Sequence, residues 1–436
     1  MLKANSTPFA INSVANSARI QGATAQSIAE LRSTKTIRSR AQALLARARR
    51  GESAWFSINN GAMATAATLV AELTQARYPD LKIPYHSRWR HFEAGGIDRA
   101  SQLGLALHGA SRLEKARTQI DLAVVSVLLD AGAGADWSYR ERAADGQAGR
   151  EYSRSEGLGV ASFHAFMAGL FSSAPAQPLQ ADAQGLQAVS AAQLANAFQV
   201  TPANPLVGLE GRAALLRRLG QALQDQSDLF GQPGRPGHLF DVLTQGRKTI
   251  QAHDVLSLLL VGLAPIWPAQ NAVEGIALGD CWRHAAVPGH SANDPTDLTY
   301  GWMPFHKLSQ WLTYSLLEPF EWAGIRVEGL DALTGLPEYR NGGLFLDAGV
   351  LRLKDPAQAQ RLHAASDEMI VEWRALTVAL LDELAPLVRE QLGLTEAQMP
   401  LACVLEGGTW AAGRALAQQL RGGPPPLNIV SDGTVF

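Results

Sequence analysis

Apolar residues recur at three- and four-residue steps along most of this 436-residue chain, the period of helices with one buried face. The spacing predicts helices over Ile37–Arg49, Met63–Ala76, Arg99–Ala116, Gln119–Ala131 and Ser155–Phe171. Further helices are expected at Ala191–Phe198, Leu209–Leu223, Val255–Leu263, Phe305–Trp322 and Asp367–Leu392. Runs that fit strands are few and short: Ile325–Val327, Leu344–Leu346, Leu401–Leu405 and Leu427–Val430. Prolines and glycines punctuate the pattern. Tyr78 to Gly96 reads as an irregular loop, Ser172 to Leu179 as another, and Leu229 to Gly237 as a surface turn. No repeat of 20 to 50 residues is present. The expected architecture is mainly α. A polar segment, 1–34, precedes a single large helical domain, 35–436, with minor short β elements and a lobe division near 172–204.

Composition narrows the class. A hydrophobic share of 47% and a charged share of 18% suit a globular protein with a sizeable core. The formal net charge of −2 argues against a general nucleic-acid or membrane-surface binder, which needs an electropositive face. The most apolar run, Val255 to Trp267, is too short to span a bilayer and is interrupted by Gly262 and Pro265. Two cysteines, Cys281 and Cys403, make neither a disulfide framework nor a metal-ligand pair. With a polar N-terminus that lacks an apolar signal core, this points to a reducing, cytoplasmic setting.

Most of the candidate chemistry falls between Pro304 and Asp347. On the helix Phe305–Trp322, Phe305, Leu308, Leu312 and Leu316 form an apolar stripe, while Lys307, Gln310 and Tyr314 form a polar one. Trp311 and Tyr314 are costly aromatics for plain surface, so a ligand-facing stripe and a solvated face are both open. Pro319 is expected to disrupt or end this helix. In Glu338-Tyr339-Arg340-Asn341-Gly342-Gly343, a carboxylate and a guanidinium precede two glycines that permit close backbone approach. The plain alternative is a turn with a local Glu–Arg pair. In His86-Ser87-Arg88-Trp89-Arg90-His91, Arg88 and Arg90 alternate and would point the same way from an extended loop, as an anion site needs. Arg154, Ser155 and Glu156 open a helix, where free amides favour anions. His284, His290 and His306, near Asp280, Cys281 and Asp294, match no metal-ligand spacing, so no metal is expected. No phosphate-binding loop or dinucleotide fingerprint calls for a nucleotide cofactor.

Several segments together carry a family resemblance. They are His86 to Phe92, Ser153 to Leu158, Phe305 to Trp311, Glu338 to Gly343 and the terminal Ser431 to Phe436. Across nearly the whole chain these resemble the uracil-catabolism, or uracil-regulatable, protein family of fungi and some bacteria. The resemblance implies a role in the pathway that opens the pyrimidine ring at the nucleotide level. A second, weaker resemblance is to the queuosine-nucleotide salvage glycosidases, helical proteins related in fold to DNA glycosylases. It implies that Glu338 serves an N-glycosidic bond, with Lys307 and Gln310 on the helix. The match departs from that family where aspartate becomes glutamate and where Asn341-Gly342-Gly343 replaces a proline, so the leaving group must differ.

On these residues and resemblances the expected activity is an N-ribosyl hydrolase acting on a phosphorylated, ring-opened pyrimidine nucleotide, with no cofactor. Glu338 is the expected catalytic carboxylate and Asp347 the second. Lys307 and Arg340 would hold phosphate or hydroxyls, Trp311 and Tyr339 would wall the sugar, and Arg88, Arg90 and His86 would add substrate contacts. The apolar tail Leu427 to Phe436 is expected to pack near the pocket. A metal-dependent amidohydrolase acting on the ureido group and a non-catalytic pathway scaffold remain open.

Overall fold

A computed structural model describes residues 22–142, 149–267, 271–289 and 297–430. The chain is mainly helical, as the apolar period requires. The first helices are α1 (Ala23–Leu31), α2 (Thr34–Arg49), α3 (Met63–Arg77), α4 (Arg88–Phe92), α5 (Arg99–Ala106), α6 (Arg112–Leu128) and α7 (Arg154–Met167). The middle of the chain holds α8 (Ala183–Ala188), α9 (Ala191–Ala197), α10 (Leu209–Asp225), α11 (Ser227–Phe230), α12 (Leu239–Thr244) and α13 (Ala252–Gly262). The last part holds α14 (Lys307–Trp322), α15 (Tyr339–Asp347), α16 (Glu368–Leu392), α17 (Leu401–Val404) and α18 (Trp410–Arg421). The described strands pair only two by two and serve as clips between helices. One of them, Arg326–Glu328, falls where alternation placed it and pairs in parallel with Thr249–Gln251.

One continuous core runs through the helices, with α14 and α16 at its centre. Every residue from Ser309 to Phe320 is buried, so α14 has no solvated face. It lies against α6, α13 and α4, while α16 packs on α2, α3 and α15. Ile28 and Leu31 of α1 bury themselves in a small separate cluster with Val273, Leu278, Cys281 and Trp302. No helix among the described residues is long and apolar enough to cross a membrane.

Four local expectations are corrected. The predicted break between Ala116 and Gln119 is helical, and the break lies earlier, where Gly109 has φ +85° and the Ser111 side chain caps α6 by accepting from Glu114 N at 3.1 Å. Leu344–Leu346 and Leu401–Leu405 are helical, because their apolar residues belong to buried helix faces and not to alternating ones. Leu229 to Gly237 is a surface turn only at its tip, where Gln232 and Pro233 are exposed. Leu229, Phe230, Pro236 and Gly237 are buried, and Gly237 N donates to the buried Asp121 at 2.7 Å. Finally, α14 continues past Pro319 to Trp322. Proline leaves the carbonyl four residues back, that of Ser315, without its helical donor. The indole Nε1 of Trp89 supplies the missing bond at 2.8 Å.

Candidate functional site

The N-termini of α7, α14 and α15 converge on a cavity of about 560 Å³. Its wall is completed by α4, the segment Asp130 to Gly134, Glu406, Trp410 and the stretch Gly423 to Ile429. Free amides and helix dipoles at such termini favour anions. Arg77, Arg90, Arg154, Lys307 and Arg340 bring positive charge to the lining, and Asp130, Glu156, Glu338 and Glu406 bring negative charge, so the cavity is mixed in sign, with Arg154, Lys307 and Arg340 grouped at the three helix starts.

Glu338 is the N-cap of α15. Its Oε2 accepts from Arg340 N at 2.8 Å and its Oε1 from Asn341 N at 2.5 Å. Each carboxylate oxygen retains a second acceptor position beyond its backbone bond. Burial pushes the Glu338 carboxyl up, opposed by the two backbone donors and the Lys307 charge. Burial and the nearby Arg374 lower the Lys307 ammonium in turn, while Asp280 and Glu338 oppose that shift. Asp280 anchors the start of α14 by accepting from Lys307 N at 2.9 Å, and it is itself clamped by Arg374 with two bonds of 2.8 Å.

Trp311, Tyr339, Arg90 and His86 also line the cavity, as their motifs suggested. Gln310 does not. It is fully buried behind the wall, where its amide bonds both the Thr334 hydroxyl and, at 3.2 Å, the Thr334 N–H. Tyr314 donates to the Thr334 carbonyl at 2.8 Å. The polar stripe of α14 therefore grips the segment that leads to Glu338, and of its three members only Lys307 lines the cavity.

Asp347 lies at the far end of α15, outside the cavity lining, in a two-bond pair with Arg421 at 2.8 and 2.6 Å. A nine-residue helix separates it from Glu338 too widely for the two carboxylates to act together. Arg88 is likewise no anion ligand. Ser87 caps α4 and turns Arg88 to Phe92 helical, so Arg88 and Arg90 diverge instead of alternating. Arg88 points into the core, bonding Ser126 Oγ at 2.6 Å and the Ser155 carbonyl at 3.2 Å, with Asp130 at 3.3 Å. Of the candidate metal residues, His290 and Asp294 lie outside the described residues. His284 faces Glu372 at 3.1 Å and His306 Nε2 faces the Leu31 carbonyl at 2.9 Å. Among the described residues no three His, Cys, Asp or Glu side chains group as metal ligands do.

Sequence reasoning missed Glu406. It sits in a π-helical turn, Leu405–Thr409, between α17 and α18. Such turns are rare and recur at functional sites. Its carboxylate accepts from Arg77 at 2.8 Å and Tyr78 at 3.0 Å, and from His86 Nδ1 at 2.8 Å. Burial alone would raise this carboxyl, but His86 and Arg77 bring it down to about 2. The signal was present as Glu406-Gly407-Gly408-Thr409-Trp410, a carboxylate before paired glycines as in the Glu338 segment. The glycines are required. A Cβ on Gly408 would stand 2.4 Å from the Val70 carbonyl oxygen of α3. Thr409 donates to Asn341 Oδ1 at 2.9 Å, which ties the Glu406 turn to the Glu338 helix.

The cavity wall is built for a polar ligand. Among the described residues nine buried side-chain polar atoms lack a hydrogen-bond partner, and five belong to the lining: Arg90 Nε, His91 Nδ1, Asp130 Oδ1, Trp311 Nε1 and Arg340 Nε. A few such groups per 100 residues are ordinary in folded proteins, but here more than half of them gather at one cavity. Leu427 and Ile429 close one side, and Asn428–Ile429 pairs in parallel with Leu362–His363. The tail thus reaches the pocket as far as it is described, while Ser431 to Phe436 lie outside the described residues.

A chain of Schizosaccharomyces pombe named protein urg3 is 41% identical over 423 residues, which cover 94% of this chain and 99% of that one. Uracil catabolism protein 4 of Lachancea kluyveri is 39% identical over 385 residues, covering 81% of this chain and 85% of that one. Residues 30–436 match the model of the family described as protein of unknown function (DUF1688). The chain belongs to that family.

Proposed function

We propose that this protein is an enzyme of pyrimidine catabolism that hydrolyses the N-glycosidic bond of a ring-opened pyrimidine nucleotide, ribosylurea phosphate, giving urea and ribose phosphate. The pathway is supported by its relatives, one of which is named for uracil catabolism. The reaction type is supported by one arrangement above all: the half-buried Glu338 carboxylate, fixed by two backbone donors, lines the same cavity as Lys307, Arg340, Trp311 and Tyr339.

Departure of nitrogen from an anomeric carbon develops positive charge on that carbon and the ring oxygen. A carboxylate partly withdrawn from water attracts that charge more strongly than one fully in water, and this one is already oriented by two backbone bonds. Lys307, Arg154 and Arg340 supply charge-assisted donors for phosphate. Asp130, with an unpaired oxygen, suits a sugar hydroxyl. Trp311, Tyr339 and Trp410 wall the ring and limit water. The test is incubation with ribosylurea phosphate and detection of urea by urease coupling and of ribose phosphate by mass spectrometry. Release of both products in equal amounts is expected. Intact substrate under conditions where the protein binds it contradicts the reading.

A further inference from the structure

The Glu338 carboxylate answers the charge on the sugar, but a ureido nitrogen also needs a proton. Leaving as an anion, it would carry a charge that nothing in water stabilises well at neutral pH, so a positioned acid speeds its departure. The cavity holds several groups of the right type, and most are committed elsewhere. Glu406 is held ionised by His86 and Arg77. His91 is held neutral by burial and by Arg88. The Asp130 carboxylate is paired with Arg88.

His86 differs from these. Its backbone N–H donates to the Ala402 carbonyl at 3.0 Å, and its Nδ1 donates to Glu406 Oε2 at 2.8 Å. Backbone and ring are thus both fixed. Nε2 has no protein partner among the described residues, and the side chain borders the cavity. A carboxylate that holds one ring nitrogen so that the other meets the substrate is the common way to orient an acid–base histidine. The supporting turn is built for this. The π-helical widening at Leu405–Thr409 brings Glu406 in, and Arg77 and Tyr78 hold its other oxygen, so Oε2 is left to the imidazole.

We infer that His86 is the proton donor to the departing ureido nitrogen and that Glu406 is its positioning residue, an inference that rests on the N-ribosyl hydrolase reading. The bond between the anomeric carbon and nitrogen breaks with its electron pair going to nitrogen. That nitrogen takes the proton from Nε2 of the charged ring and leaves as urea. Water adds to the anomeric carbon, and the proton it loses recharges the ring. One water is consumed, and no oxidant, reductant or further reactant enters.

The test compares wild type with His86→Ala on ribosylurea phosphate and on an analogue whose terminal nitrogen carries a nitrophenyl group, a leaving group that needs less protonation. The His86→Ala variant should lose about 100-fold or more on the parent substrate, within the range for general acid catalysis, and much less on the activated analogue. Added imidazole should restore part of the loss. Glu406→Gln should lower kcat with little change in KM, and Glu406→Asp should recover part of it. Unchanged binding of ribose 5-phosphate by calorimetry shows that each variant keeps its cavity. If His86→Ala does not fold, His86→Gln takes its place. Equal losses on the two substrates without imidazole rescue, or wild-type turnover in the variant, overturn the assignment of His86. No urea release by the wild-type enzyme overturns the underlying reading, and the inference with it.

Discussion

Glu338 caps a helix and faces a cavity, and one substitution separates the two duties. Glu338→Gln keeps the shape and one backbone bond, so it should cost about 1 kcal/mol in stability as a weakened cap. Its effect on turnover should be larger, roughly 100-fold in kcat, as for the loss of one electrostatic stabiliser. KM should change little, because the ground state carries no positive sugar carbon. Thermal melting and steady-state kinetics on the same preparation read both effects. Glu406 has a different signature. Its folded pKa is depressed to about 2 from an ordinary 4.5, so the stability it adds is present above about 4.5 and is lost as pH falls toward 2. The ceiling is on the order of 3 kcal/mol. Urea denaturation from pH 5 to pH 2.5 should show a steeper fall for wild type than for Glu406→Gln, and parallel curves would contradict the pairing. Lys307, Glu338 and Arg340 were legible in the sequence because charge beside glycines and aromatics is unusual in a chain of Ala, Leu and Gln helices. Glu406 was not, because the short apolar run before it, Leu401–Leu405, fits a strand as well as a buried helix. Gln310 was misplaced because periodicity gives a residue's face and not what covers that face, and Arg88 because the loop it was expected in is a helix capped by Ser87.

Helices set these residues in place through contacts that single-sequence patterns rarely disclose. The run of α14 through Pro319 depends on an indole more than two hundred residues away in sequence. Trp89→Phe should therefore destabilise the protein by about 1–3 kcal/mol, the cost of an unpaired buried carbonyl. In a Pro319→Ala background the restored amide can reach Ser315, and the same substitution should cost distinctly less. Equal costs in the two backgrounds, by chemical denaturation, would contradict the account. Helix positions were legible because 3.6-residue periodicity is strong in this chain. Helix ends were less so, because α5 and α6 divide at a cap and a left-handed glycine and not at a change of composition. The helical state of Leu401–Val404 and the π-helical turn after it depend on packing against α3, which no local pattern encodes.

The whole molecule is a helical body around a cavity of mixed charge, and the cations at the starts of α7, α14 and α15 have a measurable consequence. Arg154, at the exposed rim, and Arg340, in the buried wall, both line the space where phosphate is proposed to bind. The pair Arg154→Ala and Arg340→Ala should weaken ribose 5-phosphate binding at least about tenfold, as expected for lost charge-assisted bonds. The affinity that remains should also depend less on salt. Calorimetry at two ionic strengths reads both. The tail belongs to the same enclosure, because Leu427 is fully buried and Ile429 lines the wall. Truncation after Pro426 should lower the melting temperature and the affinity together, and no change in either would refute the docking.

The most direct measurement is urea release from ribosylurea phosphate by wild type and by Glu338→Gln, with and without a chelator. The account predicts stoichiometric urea and ribose phosphate from wild type, the same rate with chelator, and a roughly 100-fold slower rate from Glu338→Gln at similar KM. Wild-type turnover in Glu338→Gln, or activity abolished by chelator and restored by zinc, would contradict it.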